Sequence, residues 1–135
     1  MNRVDKKLVL LVDDDPGICQ LLKLHLEDAT YQVALAGNGV EALRYLYENS
    51  VDVALVDLRL GEEDGIVVMG LLRKAQPNLP VIIIAAHATT ETAFQAGKKG
   101  AFAYLCKPVE AAELLEVVAR AVNESETDYP QHTRQ

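Results

Sequence analysis

Tryptophan is absent from this chain, and only two phenylalanines and five tyrosines supply aromatic rings. A core with so few rings has to be aliphatic, packed from Val, Leu, Ile and Ala. Cysteine is scarcer still. Cys19 and Cys106 allow one bridge at most, so no disulfide framework is expected and nothing points to an oxidising compartment. Long apolar runs are also missing. The longest are about six residues, against the roughly 18 to 20 that cross a bilayer. The opening MNRVDKK is followed by nothing long enough for a signal segment. The expectation is a cytoplasmic chain with no membrane association. Positive charge is in deficit, 13 Lys and Arg against 20 Asp and Glu, for a net charge of −7. A surface that tracks phosphates needs a basic stripe, so direct nucleic-acid binding is not expected. A metal ion or a basic partner face fits better.

What is present is a chain of 135 residues, 50% hydrophobic, enough for one domain with a sizeable core. The apolar residues fall in short runs at 8–12, 31–36, 51–56, 81–86 and 101–106. These runs are continuous rather than alternating, the pattern of strands buried on both faces of a parallel sheet. Between them the spacing turns helical. Asp15 can cap a first helix with Pro16 at its first position, and Ile18, Leu21, Leu22 and Leu26 share a face. Asn38 and Glu41 have capping-box spacing for a second helix, with Ala42, Leu43 and Leu46 inside. A third begins at Asp64-Gly65 and ends before Pro77; a fourth begins at Thr89 or Thr90 and ends between 97 and 100. A fifth follows Pro108, with Leu114, Leu115, Val118, Ala121 and Val122 inward. Five successive βα units predict a parallel sheet covered by helices on both faces, with right-handed crossovers. From residue 123, NESETDYPQHTRQ is polar and aperiodic and reads as a tail or the start of a linker.

The strand ends carry the chemistry. In an open sheet of this kind, ligands bind beyond the carboxyl ends of the strands. The first run, LVLLVDDDPG, ends in Asp13, Asp14 and Asp15; the third ends in Asp57, the fourth in Ala85 and Ala86, and the fifth in Lys107-Pro108. Two like charges about 4 Å apart repel by roughly 1 kcal/mol in water and roughly 4 at an effective dielectric near 20. Such a cluster needs a cation. A few carboxylate oxygens completed by water suit Mg²⁺, and Lys107 adds a fixed positive charge. A divalent ion, a lysine and a separate Asp suit phosphoryl chemistry, with the Asp as nucleophile. Single residues have simpler explanations. Turn forming or helix capping suffices for Asp15, Asp52 and Asp64 taken one at a time. Glu62 and Glu63 read as solvated loop charges, and Cys106 as a small buried hydrophobe. An exposed ion pair contributes less than about 1 kcal/mol, so Lys107 is expected to serve activation rather than stability.

The stretches LLVDDDP, ALVDLRLGEEDG, PVIIIAAHA and GAFAYLCKPVE make residues 6–122 resemble a response-regulator receiver domain. The receiver is accordingly assigned to 1–122 and the tail to 123–135. The resemblance implies a flavodoxin-like (βα)5 three-layer sandwich with strand order 2-1-3-4-5. It makes Asp57 the phosphoacceptor. Asp14 becomes a direct Mg²⁺ ligand, Asp13 one acting through water, and the Arg59 backbone carbonyl completes the protein's share of the shell. Lys107 becomes the lysine that contacts the phosphoryl group, and its bond to Pro108 is expected cis. Tyr104 falls at an aromatic switch position. Arg59 and His87 fall where such domains tune dephosphorylation. One departure stands out: the family places Thr or Ser where this chain has Ala85.

The implied partner is a sensor histidine kinase. The recipient of the signal is left open among an output domain, a partner protein and a second copy. The stretch AHATTETAFQAGKKGAFAYLCKP is similar to receivers of enhancer-binding transcription activators. Two rival readings stand beside this one. A haloacid-dehalogenase-like phosphatase would use Asp13 as nucleophile, with Asp15 completing a D-x-D pair. A phosphorylation-independent interaction domain would keep the fold without the chemistry.

Overall fold

Each of the five apolar runs contains a strand of one parallel sheet. In the computed structural model, which describes residues 6–126, the elements are β1 (Leu8–Val12), α1 (Pro16–Asp28), β2 (Gln32–Ala36), α2 (Gly39–Glu48) and β3 (Val53–Asp57). A short hairpin, β4 (Arg59–Leu60) and β5 (Glu63–Asp64), follows. Then come α3 (Gly65–Ala75), β6 (Val81–Ala85), α4 (Thr90–Lys98), β7 (Ala103–Cys106) and α5 (Ala111–Glu126). The main sheet has the order β2-β1-β3-β6-β7, parallel throughout. Counting its five strands alone, this is the expected 2-1-3-4-5 of a flavodoxin-like receiver fold.

Alternation along the strands divides the core in two. Leu10, Val12, Ala54, Val56, Ile83 and Ala85 face α2, α3 and α4, where Ala42, Val68, Met69, Leu72 and Ala96 meet them. Val9, Leu11, Val53, Leu55, Ile82 and Ile84 face Leu22 and Leu26 of α1 and Leu114, Val118 and Ala121 of α5. Each Leu or Ile fully removed from water contributes roughly 1.5 to 3 kcal/mol. Two apolar faces therefore hold β1 and β3 at the centre of the molecule, and the residues that end these strands inherit that rigidity.

The helix starts follow local chemistry. Asp15 caps α1 by accepting from the amides of Gly17 and Ile18. Asp64 caps α3 by accepting from the Ile66 amide. Thr89 caps α4 in a capping box with Thr92. The Asp52 carboxylate accepts from the Leu8 amide at 2.8 Å. Asp15 and Asp64 thus have the capping roles that suffice for each of them singly, whereas Asp52 neither forms a turn nor caps a helix but reaches β1, 44 positions away.

Five details differ from the sequence reading. The β4–β5 hairpin was not expected, because strands of two residues leave no periodicity. Glu41 reaches the Gly37 amide rather than that of Asn38, so the α2 cap is only half a box. Leu21 is 50% exposed, since the buried stripe of α1 runs through Cys19, Leu22 and Leu26 and leaves it on the flank. Cys106 is exposed rather than buried, because it ends an edge strand. Helix α5 continues through Glu126, beyond the composition change at 123, and 127–135 lie outside the described residues. Among the described residues no helix is long and apolar enough to cross a membrane.

Gly65 allows the closest approach in the fold. A Cβ there would lie 2.1 Å from the Asp57 carbonyl oxygen, whereas one at Gly70 in the same helix meets nothing within 4 Å. Gly65→Ala should therefore destabilise the protein by about 2 to 3 kcal/mol. Gly70→Ala should stabilise it by about 0.5 to 1 kcal/mol. Urea unfolding of the two variants measures both.

Candidate functional site

The strand order reverses at β1, whose neighbours are β2 and β3, and this opens a crevice at the carboxyl edge of the sheet. Asp13 leaves β1 with its amide still donating to the Ala36 carbonyl at 3.0 Å. Its side chain is buried and accepts from the Asp15 amide at 2.9 Å. The Cys19 thiol donates to the Asp13 carbonyl oxygen at 3.3 Å, which fixes the peptide from below. Asp14 turns outward and is exposed. The aspartate triplet therefore divides three ways: one buried carboxylate, one at the mouth, and one spent on a helix cap.

Asp57 ends β3 and is 7% exposed. One of its oxygens, Oδ1, accepts from the Arg59 amide at 3.2 Å, a tight turn that leads directly into the hairpin. Lys107 arrives from the opposite side of the crevice. Its amide donates to the Ala85 carbonyl at 2.8 Å, continuing the β6–β7 ladder, and its bond to Pro108 is cis as expected. Its Nζ donates to Asp57 Oδ2 at 3.0 Å and to Asp13 Oδ2 at 3.2 Å.

The carboxylates of Asp13, Asp14 and Asp57 each place an oxygen within 4.8 Å of the others. Three negative charges against one ammonium leave a net charge of −2 (−3 + 1) on the cluster. Burial pushes the Asp13 carboxyl above its usual 3.8 and the Asp57 charge adds to this, against the Asp15 amide and Lys107. Burial alone would lower the Lys107 ammonium, but its hydrogen bond to Asp57 and the charges of both carboxylates outweigh this and raise the group overall. A divalent cation matches the residual charge and the all-oxygen donor set. The exposed side at Asp14 leaves room for the waters that Mg²⁺ retains. The cluster is positioned to chelate such an ion, as the Mg²⁺ site of receiver domains does.

The remaining candidates lie around this centre. Arg59 and His87 are exposed and line a cavity of about 720 Å³ running from Asp57 between α3 and α4, past Ile66, Val67 and Ala86. Ala85 is fully buried and brings no hydroxyl to the site. Tyr104 is half-buried, and its hydroxyl shares a hydrogen bond with Thr92 in the first turn of α4. Two residues escaped the sequence reading. Thr92 carried no signal, since only Thr89 and Thr90 stood out as the start of this helix. Glu63 is half-buried, and its carboxylate accepts from the Gly39 amide at 2.9 Å, a partner 24 positions away that no local pattern reveals. Glu62 is exposed, as expected.

The Lys107 pairs are also less exposed than a strand-end lysine suggests, at 14% for Lys107 against 2% and 8% for the side chains of Asp13 and Asp57. The expectation of a near-neutral truncation is therefore revised. With chelator present, Lys107→Ala should cost about 3 kcal/mol, because it leaves two buried carboxylates uncompensated. Asp13→Asn should act in the opposite direction. A carboxyl held above its ordinary value works against the fold when ionised, and the penalty fades as pH falls through that raised value. Asp13→Asn should therefore melt higher than the parent in chelator at neutral pH, and the gap should close toward about pH 4. Thermal melts across pH check both signs.

Comparisons with known proteins place this geometry. Residues 9–119 match the response regulator receiver domain family. The transcriptional regulatory protein GlrR of Escherichia coli (strain K12) is 41% identical over 117 residues, 87% of this chain and 26% of that protein. The transcriptional regulatory protein ZraR of Klebsiella oxytoca is 38% identical over 114 residues, 84% of this chain and 26% of that protein. The chain thus spans about a quarter of the length of these curated relatives. A CheY-like receiver domain protein from Methanospirillum hungatei JF-1 superposes with a TM-score of 0.87 at 30% identity, covering 93% of this chain and 100% of that one. The phosphatase alternative falls with this match, and with Asp15, whose carboxylate is committed to capping α1. The chain belongs to the response-regulator receiver domains, signalling modules rather than enzymes, and is closely related to those of the ZraR type of transcriptional regulator.

Proposed function

We propose that Asp57 accepts a phosphoryl group from a phosphohistidine of a sensor histidine kinase, and that the resulting change of state controls an output. The observation that carries this reading is the Lys107 ammonium bridging Asp57 at 3.0 Å and Asp13 at 3.2 Å beside an exposed Asp14. An Asp57 oxygen forms the new P–O bond as the P–N bond to the kinase histidine breaks, and the imidazole departs with that electron pair. Asp14, Asp57 and the Arg59 carbonyl would hold Mg²⁺, with Asp13 beside them. When bound, the ion offsets the charge of the phosphoryl group and orients it. Lys107 moves from the Asp57 carboxylate to a phosphoryl oxygen, so its pairing reports the phosphorylation state. Arg59 and His87 border the approach to Asp57 and tune hydrolysis.

The conformational output runs through Tyr104. In the usual arrangement a hydroxyl at the end of the fourth sheet strand donates to the phosphoryl group, and Ala85 has none. The Tyr104 side chain is tied to α4 through Thr92 instead. Loss of one charge-assisted hydrogen bond, worth about 2 kcal/mol, weakens the active-to-inactive ratio about thirtyfold. The domain works in the cytoplasm. An output domain receives the signal, in keeping with relatives of which the 114 to 117 aligned residues make up only 26%.

Labelling by acetyl phosphate or a kinase should require Mg²⁺, should map to Asp57 by mass spectrometry, and should vanish in Asp57→Asn. A label on Asp13 contradicts the assignment, and no label at all supports an interaction domain that works without phosphorylation. Ala85→Thr should strengthen the beryllofluoride response, read as larger chemical-shift changes at Tyr104 and along α4. A parent that already shifts completely would remove the weakened-switch reading.

A further inference from the structure

We infer that Glu63 is a positioning residue for the metal and phosphoacceptor loop, acting by tying the β4–β5 hairpin to the amino end of α2. The inference rests on the reading of the cluster as a Mg²⁺ site. The first amides of a helix lack partners within the helix. At α2, the Asn38 side chain serves the Glu41 amide and Glu41 reaches back to Gly37. The Gly39 amide is served from outside, by Glu63 Oε1 at 2.9 Å. A carboxylate at this end also interacts favourably with the helix dipole. The fit is close. A Cβ on Gly39 would lie 3.0 Å from Glu63 Oε2 and 3.1 Å from Val68 Cγ2.

The hairpin needs such an anchor. Its strands have two residues each, pairing Arg59 with Asp64 and Leu60 with Glu63. A ladder this short is not stable unaided. Leu60 is buried and holds one strand, and Asp64 caps α3 at the exit. Glu63 is the contact that reaches across to α2. What it holds borders the site at two points. The Arg59 amide donates to Asp57 Oδ1 at 3.2 Å. At the turn, Gly61 adopts φ 62°, and a Cβ there would be 3.8 Å from Asp14 Oδ2. A hairpin that swings away from α2 therefore shifts the backbone next to two of the three carboxylates. Glu63 touches neither the ion nor the phosphoryl group.

The test is Mg²⁺ binding by isothermal titration with the metal alone, alongside urea unfolding in chelator and labelling at saturating Mg²⁺. Glu63→Ala should weaken Mg²⁺ about tenfold, the low end of the range for residues that orient a metal's ligands. It should still label once the ion is saturating. Glu63→Gln keeps the acceptor oxygen and should stay within about twofold of the parent. Gly39→Ala strains the same joint from the other side and should weaken Mg²⁺ in the same direction. Glu63→Ala that loses stability in chelator but binds Mg²⁺ like the parent makes the residue merely structural and overturns the inference. An equal loss in Glu63→Gln and Glu63→Ala also overturns it, since charge rather than the hydrogen bond would then be responsible. A parent chain that binds no Mg²⁺ removes the reading beneath the inference, a result distinct from either.

Discussion

Asp13, Asp14 and Asp57 repel one another, and a single ammonium cannot balance them. The rest of the molecule is organised around keeping these groups together despite that repulsion. Two of the carboxylates sit at the ends of the two central strands, where both faces are sealed by aliphatic side chains. Asp13 is fixed by the Asp15 amide, Asp57 by the Arg59 amide, and both by Lys107. The repulsion that the fold cannot relieve becomes affinity for a divalent ion, and then for the phosphoryl group the ion helps to receive.

Rigidity is unevenly distributed about this centre. The sheet beneath the carboxylates is densely packed, with Val9, Leu10, Leu55, Ile82 and Ile83 fully buried. Helix α4 is held much more lightly. Ala96 is its one buried residue, Phe94 is exposed, and the cavity opens along its flank. The hydrogen bond between Thr92 and Tyr104 joins this helix to β7, one residue from Leu105 and three from Lys107. A lightly packed element next to a rigid charge cluster is what a two-state signal requires, because a few kcal/mol at the cluster can then shift the helix.

Features written in local residue patterns were legible in the sequence. The strands announced themselves as β-branched runs, and the caps at Asp15, Asp64 and Thr89 as short polar residues before helical spacing. Asp57 and Lys107 were placed on one edge by counting strand ends, and the receiver resemblance supplied the strand order. What stayed hidden depends on contacts between distant residues. The depth of burial of the Lys107 pairs follows from the ends of β1, β3 and β7 converging at one edge of the sheet. Glu63 looked solvated because its partner lies in another βα unit. Thr92 carried no signal of its own because Tyr104 reaches it only in the folded sheet. Cys106 looked buried because composition does not distinguish an edge strand from a central one.

Paramagnetic broadening tests the metal site at the carboxylate cluster most directly. Mn²⁺ is titrated into the ¹⁵N-labelled protein at low ratio in place of Mg²⁺, and the broadening of backbone amides is followed residue by residue. Broadening should centre on Asp13, Asp14, Asp57 and Arg59, reach Lys107 next and be reversed by excess Mg²⁺. Broadening centred on exposed acidic residues such as Glu62 or Glu113, with the amides of Asp14 and Asp57 untouched, would contradict it.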